Sequence, residues 1–379
     1  MFNLVSKLFS DGLIYLLISF YFFLLVILEN VSTFSKYRYV FATISFIILI
    51  LFTGLRWETG TDWDSYKDLF DSIEFNWSFL LNVYSFDIGY VFFNALLKLT
   101  TNNYSIFILI DSALALLLLM NFINKYSPNP NLSIFVFYNA FFVAQFMGSN
   151  RRIIALVFSL YTFSAIFEKK KKLTFVNSTL SFSFHRSSLA TLIALYIPKI
   201  RFTLGKTVAI ILFGLILGIP QLPAIIVGNI GKFFLTLINN PIFEKTAFYA
   251  DNIATSENVD PVAMTILSTV KRSIFLIFYF IIIFKKNGKL DLLTDFFFNI
   301  YIFGFFLYVA LNGSTIYQML STYFTFIELV LIGRMWSYAK GDLKIIFLIF
   351  LFFYGFIQLL SSLNAYPELY MPYKSYFNK

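Results

Sequence analysis

Apolar runs long enough to cross a bilayer as helices follow one another from Gly12 to Ser362, with short polar stretches between most of them. At a rise of 1.5 Å per residue, about 20 apolar residues span the roughly 30 Å of hydrocarbon, and a helix satisfies its own backbone groups there. The segments that fit are Gly12–Leu28, Tyr39–Leu55, Tyr104–Ile123, Leu132–Gly148, Ile153–Phe167, Leu173–Ile197, Thr203–Ile219, Val262–Phe284, Asp295–Leu311, Ile316–Gly333 and Leu343–Ser362. Composition agrees: 59% of the 379 residues are hydrophobic and 13% charged, about half the charge of a soluble domain. The expectation is an all-α, polytopic membrane protein with about 11–12 transmembrane helices, residues 1–379 forming a single integral membrane domain.

Basic residues sort the ends of these spans. Lys169 to Lys172 form one cluster and Lys285, Lys286 and Lys289 another, with Arg334 and Lys340, then Lys36 and Arg38, giving weaker ones. Basic loops stay at the anionic cytoplasmic leaflet, so segments 56–86, 220–260 and 363–379 are expected on the periplasmic side. This distribution accounts for the net charge of +9, so membrane lipids are the expected partner and nucleic acid is not. The chain has no Cys, which leaves no disulfide framework, thiolate nucleophile or Cys-based metal site. Gly12–Leu28 lacks a small-residue cleavage pattern and reads as a retained span.

Two segments do not cross cleanly. Asp87 to Thr100 is short and semi-polar, and Leu173 to Ile197 is interrupted by His185-Arg186. Interfacial or re-entrant helices are expected for both, and broken elements survive in a bilayer only where they line a cavity or are buried in protein.

Ionisable residues within spans are candidates for function, because charge is costly in hydrocarbon. Arg151 and Arg152 open one span, Lys271 and Arg272 lie inside another, Asp111 within a third, and Arg56, Glu58, Asp62 and Asp64 follow the end of a fourth. On the orientation above, Arg56, Arg151, Arg152, Lys271 and Arg272 gather toward the periplasmic side, as a site for a multiply charged anion such as a diphosphate requires. Snorkelling toward lipid headgroups is the plainer alternative.

Gly54 to Tyr66 packs two glycines, four charges and the aromatics Trp57, Trp63 and Tyr66 directly after a span. Aromatic faces stack on pyranose rings, carboxylates accept from sugar hydroxyls, and a tuned carboxylate serves as a general base. Asp62-Trp63-Asp64 also spells the D-x-D pattern with which nucleotide-sugar transferases hold a divalent ion, but three residues are a short signal, and neither a metal nor another cofactor is expected. His185 is the only histidine, hence a base candidate near neutrality; a hydrogen-bonded core residue is the alternative. Arg186 beside it disfavours its charged form.

These residues resemble the EpsG-like family of Wzy-type polysaccharide polymerases, such as bacterial O-antigen polymerases. The resemblance is carried by Gly54 to Phe70 (GLRWETGTDWDSYKDLF), by Asn150-Arg151-Arg152 leading into Ala155, by Phe184-His185-Arg186-Ser187-Ser188-Leu189 and, more softly, by Met371-Pro372-Tyr373-Lys374. It implies a GT-C-like, metal-independent glycosyltransferase of the bacterial inner membrane, with its active site facing the periplasm. The growing glycan would leave its undecaprenyl diphosphate carrier for a new carrier-linked repeat unit, with inversion; a chain-length regulator is an implied partner. Arg56, Arg151, Arg152, Lys271 and Arg272 would then bind diphosphate, Glu58, Asp62, Asp64 or His185 would orient or deprotonate the acceptor, and Trp57, Trp63, Tyr66 and Tyr323 would contact sugar. One departure stands out. The family pattern has an Arg shortly before a Tyr-Phe pair in a late span, whereas Tyr323-Phe324 here follows Leu320-Ser321-Thr322, so that Lys271 or Arg272 is left to supply the charge. Tyr366, Tyr370 and Tyr373 of the tail, with the 220–260 segment, would cap the cavity or pack on the interface.

A flippase for the same lipid-linked glycan is the main rival, and an O-antigen ligase the second. A flippase needs access from both faces and often has two related halves; here the charges gather on one side and no internal repeat is evident.

Overall fold

The computed structural model describes residues 9–76, 86–237, 261–286, 290–312 and 315–378. Helices account for nearly all of the regular structure, and no strand occurs among the described residues. In chain order they are α1 (Leu13–Asn30), α2 (Arg38–Gly54), α3 (Trp63–Ser72), α4 (Ile88–Lys98), α5 (Tyr104–Tyr126), α6 (Pro130–Phe137), α7 (Asn150–Phe167), α8 (Lys171–Phe184), α9 (Leu204–Gly218), α10 (Leu222–Leu237), α11 (Pro261–Lys285), α12 (Leu292–Ala310), α13 (Glu328–Tyr338) and α14 (Asp342–Ala365). Six helical segments among the described residues are long and apolar enough to cross a bilayer: α1, α2 with its preceding turn, α5, Pro130–Met147, α12 and α14. The chain is a polytopic helical membrane protein.

The chain packs as two compact units, Met1–Leu189 with Glu328–Lys379, and Ala190–Ile327. In the first, α7 lies along α8, α2 along α5, and α6 against α1 and α13. Its core is aromatic, with Tyr15, Phe22, Phe46, Phe107, Phe122 and Tyr138 each at most 1% exposed. In the second, α9 packs along α12, where a Cβ on Gly218 would meet the Val309 carbonyl oxygen at 2.0 Å, so only glycine permits that approach. Arg201 pairs with Asp295 at 3.5 Å, and the Asn299 side chain donates to the carbonyls of Pro198 and Ile200 at 2.7 and 2.9 Å.

Several spans differ from their sequence pattern. Pro130–Met147 begins as α6 and continues from Tyr138 to Met147 as a π-helix, whose wider i→i+5 turns are rare and mark functional sites. Leu173–Ile197 breaks at the expected point: α8 stops at Phe184, His185 is extended (φ −156°, ψ 113°), and Arg186–Tyr196 follows as a 3₁₀-helix. Ile316–Gly333 is not one helix, since the turns Thr315–Gln318, Met319–Ser321 and Thr322–Thr325 precede α13. Glu328, at the start of α13, is 0% exposed and accepts from the Tyr354 hydroxyl; a buried acid with a partner in its own unit starts a new helix there. At its start the 220–260 segment holds α10, and its residues 238–260 lie outside the described residues, as do 77–85 of the 56–86 segment.

Candidate active site

The site lies within the first unit, and begins where α2 ends. Arg56 follows that end and is 2% exposed. Its guanidinium donates to the Thr53 carbonyl at 2.9 Å, the Thr59 carbonyl at 3.2 Å and Asn150 Oδ1 at 2.5 Å. The tail clasps the same loop: the N–H groups of Trp57 and Gly60 donate to the carbonyls of Lys374 and Leu369 at 2.9 and 3.0 Å, and Tyr376 N–H to the Leu55 carbonyl at 2.8 Å. Lys374 Nζ also meets Glu58 Oε2 at 2.9 Å, and the Tyr373 hydroxyl donates to the Phe52 carbonyl at 2.6 Å. Gly60 has φ +121°, and a Cβ there would stand 2.2 Å from the Met147 carbonyl oxygen. Glycine thus serves twice, admitting the left-handed backbone and letting the loop rest on the end of the π-helix.

That docking brings the loop to the first turn of α7. The Thr61 hydroxyl donates to the Gly148 carbonyl at 2.9 Å, and the Tyr66 hydroxyl lies 2.7 Å from Ser149 Oγ. Arg151 and Arg152 follow at once. A second docking brings in the break after α8: a Cβ on Gly89 of α4 would meet Ser183 Oγ at 2.5 Å and the Ser183 carbonyl at 2.8 Å, so α4 and the end of α8 are in backbone contact. Asp87, just before α4, then receives Arg151 Nη1 at 2.7 Å, Arg186 Nε at 3.1 Å and the Arg186 N–H at 3.2 Å. Arg152 Nη1 reaches Gln145 Oε1 of the π-helix at 3.3 Å.

The result is a cluster of Asp62, Asp87, Arg151, Arg152, His185 and Arg186, three cations against two acids. Burial raises the Asp62 carboxyl above its usual range, opposed by Arg152 and then by Arg151. Burial, then the charges of Arg152 and Arg151, lowers the His185 imidazole, which stays neutral at pH 7. Two cations in the first turn of α7 add to the positive end of the helix dipole instead of offsetting it, an arrangement that costs stability and favours an incoming anion.

The sequence-expected residues divide by position. Asp62, Arg151, Arg152 and His185 meet in the cluster. Arg56 does not face it as an open cation, because burial and three acceptors turn it into the loop. Glu58 is exposed and held by Lys374, and Asp64 is exposed on α3. Trp63 and Tyr66, expected to contact sugar, are 6% and 2% exposed within the aromatic core that includes Tyr104 and Phe107, while Trp57 is half-buried against it. Tyr323 is 1% exposed within the second unit. Arg272 is also in that unit, with its guanidinium 4.1 Å from the Tyr308 ring centre; the Lys271 side chain lies outside the described residues. Among the described residues no three His, Asp or Glu side chains gather as metal ligands do.

Sequence reasoning missed Asp87 and Gln145. The signal for Asp87 is an acid directly before a short amphipathic helix, and for Gln145 an amide near the end of an otherwise apolar span.

A bundle of membrane helices that holds a cluster of arginines against carboxylates beside an aromatic loop defines the class: a polytopic membrane protein with a charged site. The chain belongs to the EpsG family, whose sequence profile matches residues 39–375, the family of Wzy-like polysaccharide polymerases. No curated protein and no solved structure matches the chain.

Proposed function

We propose that this polymerase joins oligosaccharide units carried on a polyprenyl diphosphate, at the outer face of the bacterial inner membrane. The carrying observation is the placement of Arg152: half-buried in the first turn of α7, with its charge acting on the Asp62 carboxyl, and with one long contact to Gln145. In this reading the donor diphosphate sits against Arg152 and the α7 N-terminus, with Arg151 and Arg186 steadied beside it by Asp87. An acceptor hydroxyl attacks the anomeric carbon, its proton passes to the Asp62 carboxylate, and the bond to the phosphate oxygen breaks with inversion. The lipid diphosphate departs with its charge met by guanidinium groups, which bind phosphate oxygens through paired N–H donors.

The environment favours Asp62 over His185 as base. A carboxylate whose proton affinity is raised accepts a proton more readily near neutrality, whereas an imidazole lowered by burial and two arginines accepts one less readily. His185 is read as a hydrogen-bonding group for the acceptor. Arg56 is read as a brace of the loop, and Glu58 and Asp64 as outer contacts for the saccharide. Arg272, in the second unit, is left out of the reacting centre.

Replacing Arg152 by Ala tests this reading. Long-chain polymer should disappear while single repeat units still reach the cell surface. Unchanged polymer would remove Arg152 from the reaction, and loss of the single units as well would indicate a block in export, as for a flippase. Purified protein in EDTA should retain activity; loss restored by Mg²⁺ would make Asp62 and Asp64 metal ligands. Reporter fusions near Trp63 should report the periplasm.

A further inference from the structure

We infer that a polar cleft beside the 56–60 loop is a second saccharide site, which holds a glycan outside the reacting centre. The cleft has a volume of about 550 Å³ and lies between Trp57, the tail residue Tyr376, Lys67 and Asp71 of α3, and the Thr101–Tyr104 turn before α5. Small-ligand sites fall at about 300–1,000 Å³. None of its lining residues belongs to the arginine cluster.

Its chemistry selects a neutral polyhydroxylated ligand. Lys67 and Asp71 pair at 2.5 Å, so the wall carries both signs and no net charge, unlike the cationic cluster that suits a diphosphate. Trp57 and Tyr376 stand with ring centres 6.1 Å apart at 63°, two half-buried aromatic surfaces of the kind that carry the apolar face of a sugar ring. Asn102 is exposed at the rim and offers both a carbonyl acceptor and an amide donor. The turn is shaped before any ligand arrives: Asn103 Oδ1 accepts the Ser105 N–H at 2.9 Å, and Thr101 Oγ1 the Asn103 N–H at 3.1 Å. Preorganisation of this kind lowers the cost of binding.

Helix α3 connects the cleft to the reaction. Tyr66 meets Ser149 beside Arg151, whereas Lys67, one residue and about 100° further round the helix, lines the cleft. Sugars held there are remote from the reacting carbon, and their binding energy can be used to keep a growing chain engaged between transfers.

This inference rests on the polymerase reading, and its test separates the two. The probe is the lipid-free repeat-unit glycan, released by mild acid from the carrier-linked units the cells make and titrated into the full chain in nanodiscs by saturation-transfer NMR. Wild type and Arg152→Ala should bind it alike, and Tyr376→Ala combined with Asn102→Ala should bind at least tenfold more weakly. Asn102→Trp, which fills the cleft from an exposed position, should weaken binding at least tenfold even if the double variant proves unstable. Undiminished binding in Asn102→Trp, or none in wild type, overturns the cleft; normal polymer in Arg152→Ala cells instead removes Arg152 from the reacting centre, whatever the cleft does.

Discussion

The junction at Arg56 and the first turn of α7 hold the same kind of residue in opposite circumstances. Arg56 is buried and donates to three acceptors of its own unit, while Arg152 is half-buried with one long bond to Gln145. A guanidinium surrounded by carbonyls fixes a backbone; one left short of acceptors beside a helix N-terminus is ready for an anion. The lesson is that charge in a membrane span marks importance, whereas its acceptors decide whether that importance is structural or chemical.

The sharpest way to break the comparison is to remove the brace. Arg56→Ala strands the Thr59 carbonyl and Asn150 Oδ1, each worth about 1–3 kcal/mol when buried without a partner, while the Thr53 carbonyl keeps backbone N–H donors, so the variant should lose much of its folded population in detergent thermal melts. If it melts like wild type with polymer lost, Arg56 is a ligand residue and the contrast fails. Next comes Asp62→Asn, expected to cut turnover by about 10²–10⁴ with little change in melting temperature. Because the Asp62 carboxyl is raised by burial, activity should fall on acidification at a pH above the ordinary Asp value of about 3.9. The stability sign is opposite, since the folded chain holds that proton more tightly than the unfolded one, so Asp62 disfavours folding as pH rises from the unfolded value through the folded one.

Gly60→Ala should cost about 1–3 kcal/mol for the left-handed backbone, besides displacing the loop from Met147, and is read out as a lowered melting temperature with a matching fall in polymer. The smallest effect belongs to Glu58. Lys374 holds its carboxyl below the usual range, so the clasp is intact above the unfolded Glu value of about 4.3 and weakens as pH falls through the folded value. Limited proteolysis of the tail should rise slightly on acidification in wild type and be pH-independent in Glu58→Gln.

The helical membrane class was legible in the sequence because span length and apolar composition are direct demands of the bilayer. So was the break at His185, where two polar residues interrupt an apolar run. The π-helix at Tyr138–Met147 was not, since Phe, Val and Ala suit an α-helix as well as a wider one. At the site, Arg151, Arg152, Asp62 and His185 stood out as charged or titratable groups near span ends. Their pairing did not, because Asp87 and Gln145 reach them only through the Gly89 and Gly60 contacts. The inward turn of Arg56 was equally hidden: its acceptors are mostly backbone carbonyls, which every sequence has.

The clasp between the 56–60 loop and the tail also sets a timetable. Glu58 and Lys374 are 316 residues apart, and at roughly 5–20 residues per second the ribosome needs about 15–60 s to pass from one to the other. The arginines of α7 enter the membrane early in that interval, yet the loop that carries Asp62 receives its last hydrogen bonds only once Leu369 to Tyr376 have been made. A polymerase assembled this way stays unfinished until that segment emerges, so chains truncated before Leu369 would carry the arginines of α7 without a firmly seated Asp62.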